Sequence, residues 1–433
     1  MSMTTRLALV TAVLLVLAAV AIRLSYRGEA NDTDAALLTP AVESATDRTI
    51  RDAQARVTAL PDNAGVLDQL AYAYLQKARE TADSSLYTSA EGLFQKSLSI
   101  QPSGQAAIIG FSSVSLSRHD FARARDYAQQ ALDVGPPTPA VFGALGDAQM
   151  ELGQYDEALV SYQRMVDLRP DLNSYVRVSY AREIHGDIAG AVQAMQLAVE
   201  AAGPKGENAA WVRMQLGNLY FNSGRLDEAD AKYTQSLEAF PGYVHAIAGR
   251  ARVAAAHGDY GRAEDLYDRA VTRMPVVQYV VALGDVYQLD GKLDDAQRQY
   301  DLVQAIAQLA QANGVNTDLE IALFDADHDL NPASAVRQAK AVYDAAPSIP
   351  SADVLAWAFF KSGDPAAAQK YIDEALRLGT KDVAIHYHAG LIEKALGNTF
   401  AARTDLQTAI AISPRFSPLQ APIAQQALAE LGG

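Results

Sequence analysis

The chain has 433 residues, 49 % of them hydrophobic, a formal net charge of −15 and no cysteine. The negative charge argues against nucleic acid, whose phosphates it would repel, and against binding of the folded part to anionic lipid. The lack of cysteine excludes disulfides, thiolate metal sites, a lipid-modified N-terminal cysteine and a cysteine nucleophile.

The first predicted element is an apolar segment near the N-terminus. Residues 7–22 are apolar except for one threonine, and Arg6 and Arg23 flank them. A membrane-spanning helix needs about 20 apolar residues, so this segment spans a bilayer only if Arg23 snorkels to the surface. A small-x-small motif ending at Ala21 has the form that signal peptidase cleaves. Two interpretations stay open: residues 1–27 are a single-pass anchor or a cleaved signal peptide.

The flanking charges set the expected location only weakly, because basic residues lie on both sides of the apolar segment. We expect a membrane protein whose soluble domain is extracytoplasmic and which touches the membrane through the N-terminal segment only. The alternative is a secreted or periplasmic protein after cleavage near Ala21. Residues 28–47 are acidic and lack periodicity, which predicts a linker, and residues 48–61 are predicted to form an N-terminal capping helix.

A repeat of 34 residues governs most of the chain that follows. A small residue, an alanine twelve residues later and a proline after twelve more recur, as in Gly146, Ala158 and Pro170. The same spacing occurs at Ser112-Ala124-Pro136, Gly217-Ala229-Pro241, Ala251-Ala263-Pro275 and Gly390-Ala402-Pro414. Small residues allow two helices to cross closely, and proline ends the second helix.

Two further positions support a helix–turn–helix unit. A glycine recurs five residues before the alanine, as in LGQYDEAL around Gly153 and SGRLDEAD around Gly224, and it suits the left-handed cap of a first helix. Four residues after the alanine comes a large group such as Tyr162 or Tyr233, one helical turn further along the same face. One unit lacks its proline, so its second helix is predicted to run on to Ala312.

These residues resemble the tetratricopeptide repeat family, and the stretch ALGDAQMELGQYDEALVSYQRMVDLRP is a close match. The resemblance covers residues 62–415 and comprises ten units. It implies an all-α fold, an α-solenoid wound as a right-handed superhelix of antiparallel helix pairs, preceded by the N-terminal hydrophobic helix. Residues 416–433 are predicted to cap the last unit with a helix. The chain also resembles uncharacterised bacterial membrane-anchored tetratricopeptide proteins.

The resemblance also implies a concave groove, lined by the first helix of each unit, that binds a protein or peptide. First-helix residues not needed for helix–helix contacts cluster in units four to seven: Arg177, Tyr180, Trp211, Asn218, Phe221, Arg252 and Asp285. Tyrosine, tryptophan and arginine are enriched at binding hot spots. Packing between repeats is the alternative role for each of these residues, and for Trp211 above all.

No catalytic, cofactor-binding or metal-binding motif is found. There is no phosphate-binding glycine loop, GxSxG or HExxH, and the acidic stretch from Asp325 to Asp329 lacks the glycine and glutamate of a calcium loop. We therefore expect a non-catalytic, membrane-tethered scaffold or adaptor without cofactor or nucleic acid. The alternative is an exported assembly chaperone or regulator released after signal cleavage. An enzyme is the third hypothesis, and no catalytic domain is expected after Pro414.

Overall fold

The computed structural model describes residues 38–39 and 43–432. Over these residues the chain forms 22 helices and no strand, which confirms the predicted all-α class. No described helix combines the length and the apolar composition that crossing a membrane requires. The predicted hydrophobic helix at residues 7–22 lies outside the described residues, as does most of the predicted linker.

A capping box starts the first helix, α1 (Ala45–Ala59). The Ser44 hydroxyl accepts from the backbone N–H of Asp47 at 3.1 Å, and the Asp47 carboxylate accepts from the N–H of Ser44 at 3.0 Å. These bonds satisfy donors that a helix start leaves free, so α1 begins at Ala45 and not at the predicted residue 48.

Ten helix pairs follow, and we call them units 1 to 10. In chain order they are α2 (Ala64–Thr81) with α3 (Ser85–Ile100), α4 (Gln105–Ser117) with α5 (Phe121–Val134), α6 (Pro139–Glu151) with α7 (Tyr155–Leu168), α8 (Leu172–Ile184) with α9 (Ile188–Ala201), α10 (Glu207–Asn222) with α11 (Leu226–Ala239), α12 (Val244–Ala256) with α13 (Tyr260–Arg273), α14 (Val277–Leu289) with α15 (Leu293–Ala312), α16 (Asp318–Asp327) with α17 (Pro332–Ala345), α18 (Ile349–Lys361) with α19 (Pro365–Leu376), and α20 (Val383–Ala395) with α21 (Thr399–Ile412). A final helix, α22 (Gln420–Glu430), lies within the predicted capping segment. As predicted, α15 runs on to Ala312.

The recurring small residues bring the two helices of each unit close together. An added Cβ at Gly146 would lie 2.5 Å from the ring of Tyr162, and one at Gly217 would lie 2.6 Å from that of Tyr233. The alanine twelve residues after Gly146, Ala158, is fully buried. Any larger side chain at the crossing would push the helices apart, so the repeat spacing follows from close packing.

The first helices of successive units pack against one another from α2 to α8 and again from α10 to α22. The second helices pack between the first helix of their own unit and that of the next. Between α8 and α10, where residues 203–208 are inserted, the second helix α9 packs against both first helices. The first helices therefore form two packed stretches, α2 to α8 and α10 to α22, joined through α9, and together we call them the inner layer.

Early and late units of the array are in contact. The helix–helix turns of units 2 to 5 touch the loops that follow units 7 to 10. We call these contacts the turn-to-turn seam. The pairs are His119 with Asn316 (Nδ1 to backbone oxygen, 2.7 Å), Tyr155 with Ile349 (Ile349 N–H donates to the hydroxyl oxygen, 2.7 Å), Gly186 with Gly379, and Gly224 with Ile412.

Glycine is required at the seam for two reasons. Gly153 has a φ of +70°, which disfavours other residues. A Cβ there would also lie 2.2 Å from the backbone oxygen of Pro347 in the later turn. The sequence pattern predicted the left-handed cap but not the contact with a residue of another turn.

Candidate protein-binding groove

One line of side chains runs along the inner layer, formed by the residue that directly follows the small residue of each first helix. We call it the inner column. It includes Asp147 and four of the predicted groove residues, namely Tyr180, Asn218, Arg252 and Asp285, and all five are half-buried. The structure thus places these four predicted residues at the same position of successive units.

Tyrosines of the second helices fix three members of the inner column. In each case the hydroxyl donates to the column residue fifteen positions earlier in the same unit. The pairs are Tyr162 with Asp147 (3.1 Å), Tyr233 with Asn218 (2.8 Å) and Tyr300 with Asp285 (2.9 Å). The sequence contains this signal, because the tyrosine stands four residues after the repeat alanine.

The predicted arginines bridge neighbouring first helices. Arg177 donates from Nε and Nη2 to the two carboxylate oxygens of Asp147, at 2.7 and 2.6 Å. Arg252 donates to Asn222 at 2.8 Å, and its guanidinium carbon lies 3.7 Å from the ring centre of Phe221. Phe221 itself is buried, with 1 % of its surface exposed. The structure therefore joins Phe221 to Arg252 directly, whereas the partner of Arg177 lies outside the predicted set.

Trp211 of unit 5 lies next to Arg79 of unit 1. The Arg79 guanidinium carbon is 6.0 Å from the centre of the Trp211 ring, and Arg79 Nη2 binds the Glu207 carboxylate at 2.6 Å. Tyr180 packs against a cluster that contains Met150 of unit 3 and Ile349 of unit 9. A role of the seven residues in binding a partner stays a prediction, and every one of them contacts another part of the chain.

A carboxylate of unit 4 and one from the loop before unit 10 lie near each other beside the seam. Burial and, after it, the charge of Asp382 raise the pKa of Glu183 from 4.5 to about 7. Burial and then the charge of Asp353 raise the pKa of Asp382. The sequence does not indicate this group, because Glu183 belongs to unit 4 and Asp382 precedes unit 10. No periodicity indicates that these units touch.

A second polar cluster joins units 8 to 10. His388, with 2 % of its surface exposed, has Nδ1 2.9 Å from Asp353 and stacks on Trp357 with 4.1 Å between ring centres. Burial lowers the pKa of His388, but the charge and hydrogen bond of Asp353 outweigh it, and the pKa is raised overall. The Trp357 indole N–H donates to Asp327 at 2.8 Å. These contacts hold successive first helices together.

A cavity of about 950 Å³ lies at the N-terminal end of the inner layer, and we call it the N-terminal cavity. Residues of α1, α2 and the start of α4 line it: Thr49, Asp52, Ala53, Arg56, Gly65, Asp68, Gln69, Tyr72, Ala73 and Ala106. Tyr72 belongs to the inner column and is 36 % exposed. Among the described residues, no three or more histidine or acidic side chains are grouped so that they could hold a metal ion.

The fold and the inner layer define a helical-repeat protein. Residues 114–173, 214–275 and 354–415 match the family model of the tetratricopeptide repeat. The chain therefore contains tetratricopeptide repeats, and the family predicted from its sequence is confirmed.

The proteins that show likeness to this chain include one curated relative and two solved structures, described below. Over 260 residues the chain is 25 % identical to cellulose synthase 1 operon protein C of Komagataeibacter xylinus. The aligned region covers 58 % of this chain and 16 % of that protein. Yeast Tom70 aligns with a TM-score of 0.40 and 11 % identity over 89 % of this chain and 92 % of that one. The Cut9–Hcn1 structure from the APC/C aligns with a TM-score of 0.38 and 15 % identity over 90 % and 96 % of the two chains.

Proposed function

We propose that this protein is a non-catalytic scaffold that binds a protein or peptide partner along its inner layer. The observation that carries the proposal is the packed layer of first helices with the inner column along it. The seam supports it as well, because a surface held in one shape loses little conformational entropy when a partner binds.

We further propose that residues 1–27 tether the scaffold to a membrane and that its partner belongs to a cell-envelope assembly. The relative named for a cellulose synthase operon supports an envelope partner. The apolar composition of residues 7–22 supports the tether. The mass of the mature N-terminus tests it: a chain that keeps Arg6 is anchored, whereas one that starts at Ile22 is released.

Photo-crosslinking in cells tests partner binding. Ser113 of the inner column donates to Ile109 of its own helix at 3.1 Å, so its replacement by p-benzoylphenylalanine removes only a local bond. Phe400 on the second helix α21 is 86 % exposed and provides the outer control. We expect one discrete adduct from position 113 and none from position 400. Equal labelling at both positions, or no adduct at position 113 or at Leu391 of the same column, would contradict the proposal.

A further inference from the structure

We propose that Leu38 is a latch that holds unit 1 against unit 6, and that its release opens the array at the N-terminal end. Leu38 precedes α1 and lies outside the ten units. The inference rests on the contacts of this residue and not on the identity of a partner.

The side chain of Leu38 is packed as a core residue. It has 3 % of its surface exposed and belongs to a buried hydrophobic cluster that includes Tyr243 and Met274. Every other buried member of this cluster lies between Ala191 and Ala296, in units 4 to 7. Leu38 therefore completes the core of units that come much later in the chain.

The backbone of Leu38 is held by an arginine of unit 6. Arg273 is the last residue of α13, and its Nη2 donates to the backbone oxygen of Leu38 at 2.5 Å. Its Nη1 donates at 3.2 Å to the backbone oxygen of Gly242, which lies just before α12. Hydrogen bonds from a charged donor are stronger than neutral ones. One guanidinium thus joins Leu38 to both ends of unit 6.

These contacts occupy the next position of the turn-to-turn seam. The seam joins the turns of units 2 to 5 to the loops after units 7 to 10, so one step towards the N-terminus joins unit 1 to the loop after unit 6. That loop begins directly after Arg273. On the other side, Lys77 near the end of α2 binds Asp47 at the start of α1 at 2.6 Å. Leu38 therefore lies where unit 1 and unit 6 meet.

The latch can be released without unfolding a helix pair, because Leu38 lies outside the ten units. Burial of one leucine side chain favours the attached state by about thirtyfold. The ion pair of Arg79 with Glu207 crosses the same end of the array at 2.6 Å, but Arg79 is 43 % exposed, and exposed pairs contribute little. We therefore expect unit 1 to move away from unit 6 once Leu38 leaves.

The distance between two spin labels tests the latch in the full chain. The chain has no cysteine, so labels attach only to introduced ones. Gly92 on α3 of unit 1 and Gly261 on α13 of unit 6 are exposed, and a Cβ at either would meet nothing within 4 Å. With Gly92→Cys and Gly261→Cys labelled, we expect double electron–electron resonance to give one narrow distance distribution. Adding Leu38→Asp should move more than about half of the molecules to longer distances, because a buried carboxylate is unfavourable.

Two further variants complete the test. Leu38→Ala keeps part of the buried surface and should give an intermediate fraction at longer distances. Leu60 follows α1 and is 53 % exposed, so Leu60→Asp introduces the same charge away from the latch and should keep the narrow distribution. An unchanged distribution in Leu38→Asp and Leu38→Ala proteins that stay helical by circular dichroism would overturn the proposal, as would equal broadening in Leu60→Asp.

This result is independent of the scaffold function. The distance is measured on the chain alone, whereas adducts from position 113 report a bound partner. If those adducts form while Leu38→Asp keeps the natural distance, the scaffold function stands and only the latch fails.

Discussion

The middle of the inner layer and its N-terminal end differ in what lies opposite them. In unit 4 the column residue Tyr180 packs beside Ile349 of unit 9, and Glu183 lies near Asp382, which precedes unit 10. In unit 1 a later unit reaches α2 at its C-terminal end, through Arg79 and Glu207, while Asp68 borders an open cavity. Later units therefore cover the inner layer in one region, whereas it borders a cavity in the other.

The largest expected effect concerns the seam that fills the middle region. Gly153→Ala places a Cβ against the backbone of Pro347 and should lower the free energy of unfolding by about 4 kcal/mol. Gly291→Ala is the matched control, because Gly291 has a φ of +78° and a Cβ there would meet nothing within 4 Å. It should lose only about 1–2 kcal/mol. Denaturant unfolding measures both. Equal losses would show that the seam does not hold the turns together.

The next effect is a pH dependence at the seam. Because the folded-state pKa of Glu183, about 7, lies above its ordinary 4.5, the folded chain binds more protons than the unfolded chain between these values. This group therefore lowers stability as pH rises from 4.5 to about 7 and adds no further change above that. Glu183→Gln removes the decline, and we expect the variant to gain about 3 kcal/mol over the natural chain by pH 8.

Chemical denaturation at a series of pH values measures this difference. Asp68 belongs to the N-terminal end of the inner layer and not to the seam. We therefore expect Asp68→Asn to change the pH dependence of the unfolding free energy between pH 5 and pH 7 less than Glu183→Gln does. If the unfolding free energy of Glu183→Gln depends on pH in the same way as that of the natural chain, burial and the charge of Asp382 do not raise the pKa of Glu183.

A smaller effect is expected at the bridge between units 3 and 4. Arg177→Met leaves Asp147 without its two charged hydrogen bonds and should destabilise the fold by about 1.5 kcal/mol. Lys340→Met is the control, since Lys340 and Asp344 form an exposed pair whose loss should cost under about 0.5 kcal/mol. If both variants lose the same amount, Arg177 is free to bind a partner, and the middle of the inner layer resembles its N-terminal end more than we infer.

The smallest effect tests the tyrosine bonds that fix the inner column. Tyr233→Phe removes the hydroxyl that donates to Asn218 at 2.8 Å, with an expected loss of about 1 kcal/mol. A double-mutant cycle with Asn218→Ala isolates the pair, and the double variant should lose less than the sum of the single ones. Strict additivity would show that the bond does not hold Asn218.

Most of the fold could be predicted from the local spacing of residues in the sequence. The small residue at Gly146, the alanine at Ala158 and the cap at Gly153 each act within one helix pair, so their spacing predicts the pair directly. The candidate groove was harder to predict. The hydrogen bond from a tyrosine to Asn218 recurs in other units, so its spacing can be read in the sequence. The contact of the Arg79 guanidinium with the Trp211 ring joins residues more than a hundred positions apart, and no spacing predicts it.

By itself, the sequence determined the helix pairs, their number and the side of each first helix that lines the inner layer, because these depend on contacts within one unit or between neighbours. Only the tertiary structure decided which parts of the inner layer are filled. That depends on how far each unit rotates relative to the one before, and small rotations summed over several units bring Gly153 to Pro347 while leaving a cavity beside Asp68. No periodic pattern encodes such a sum.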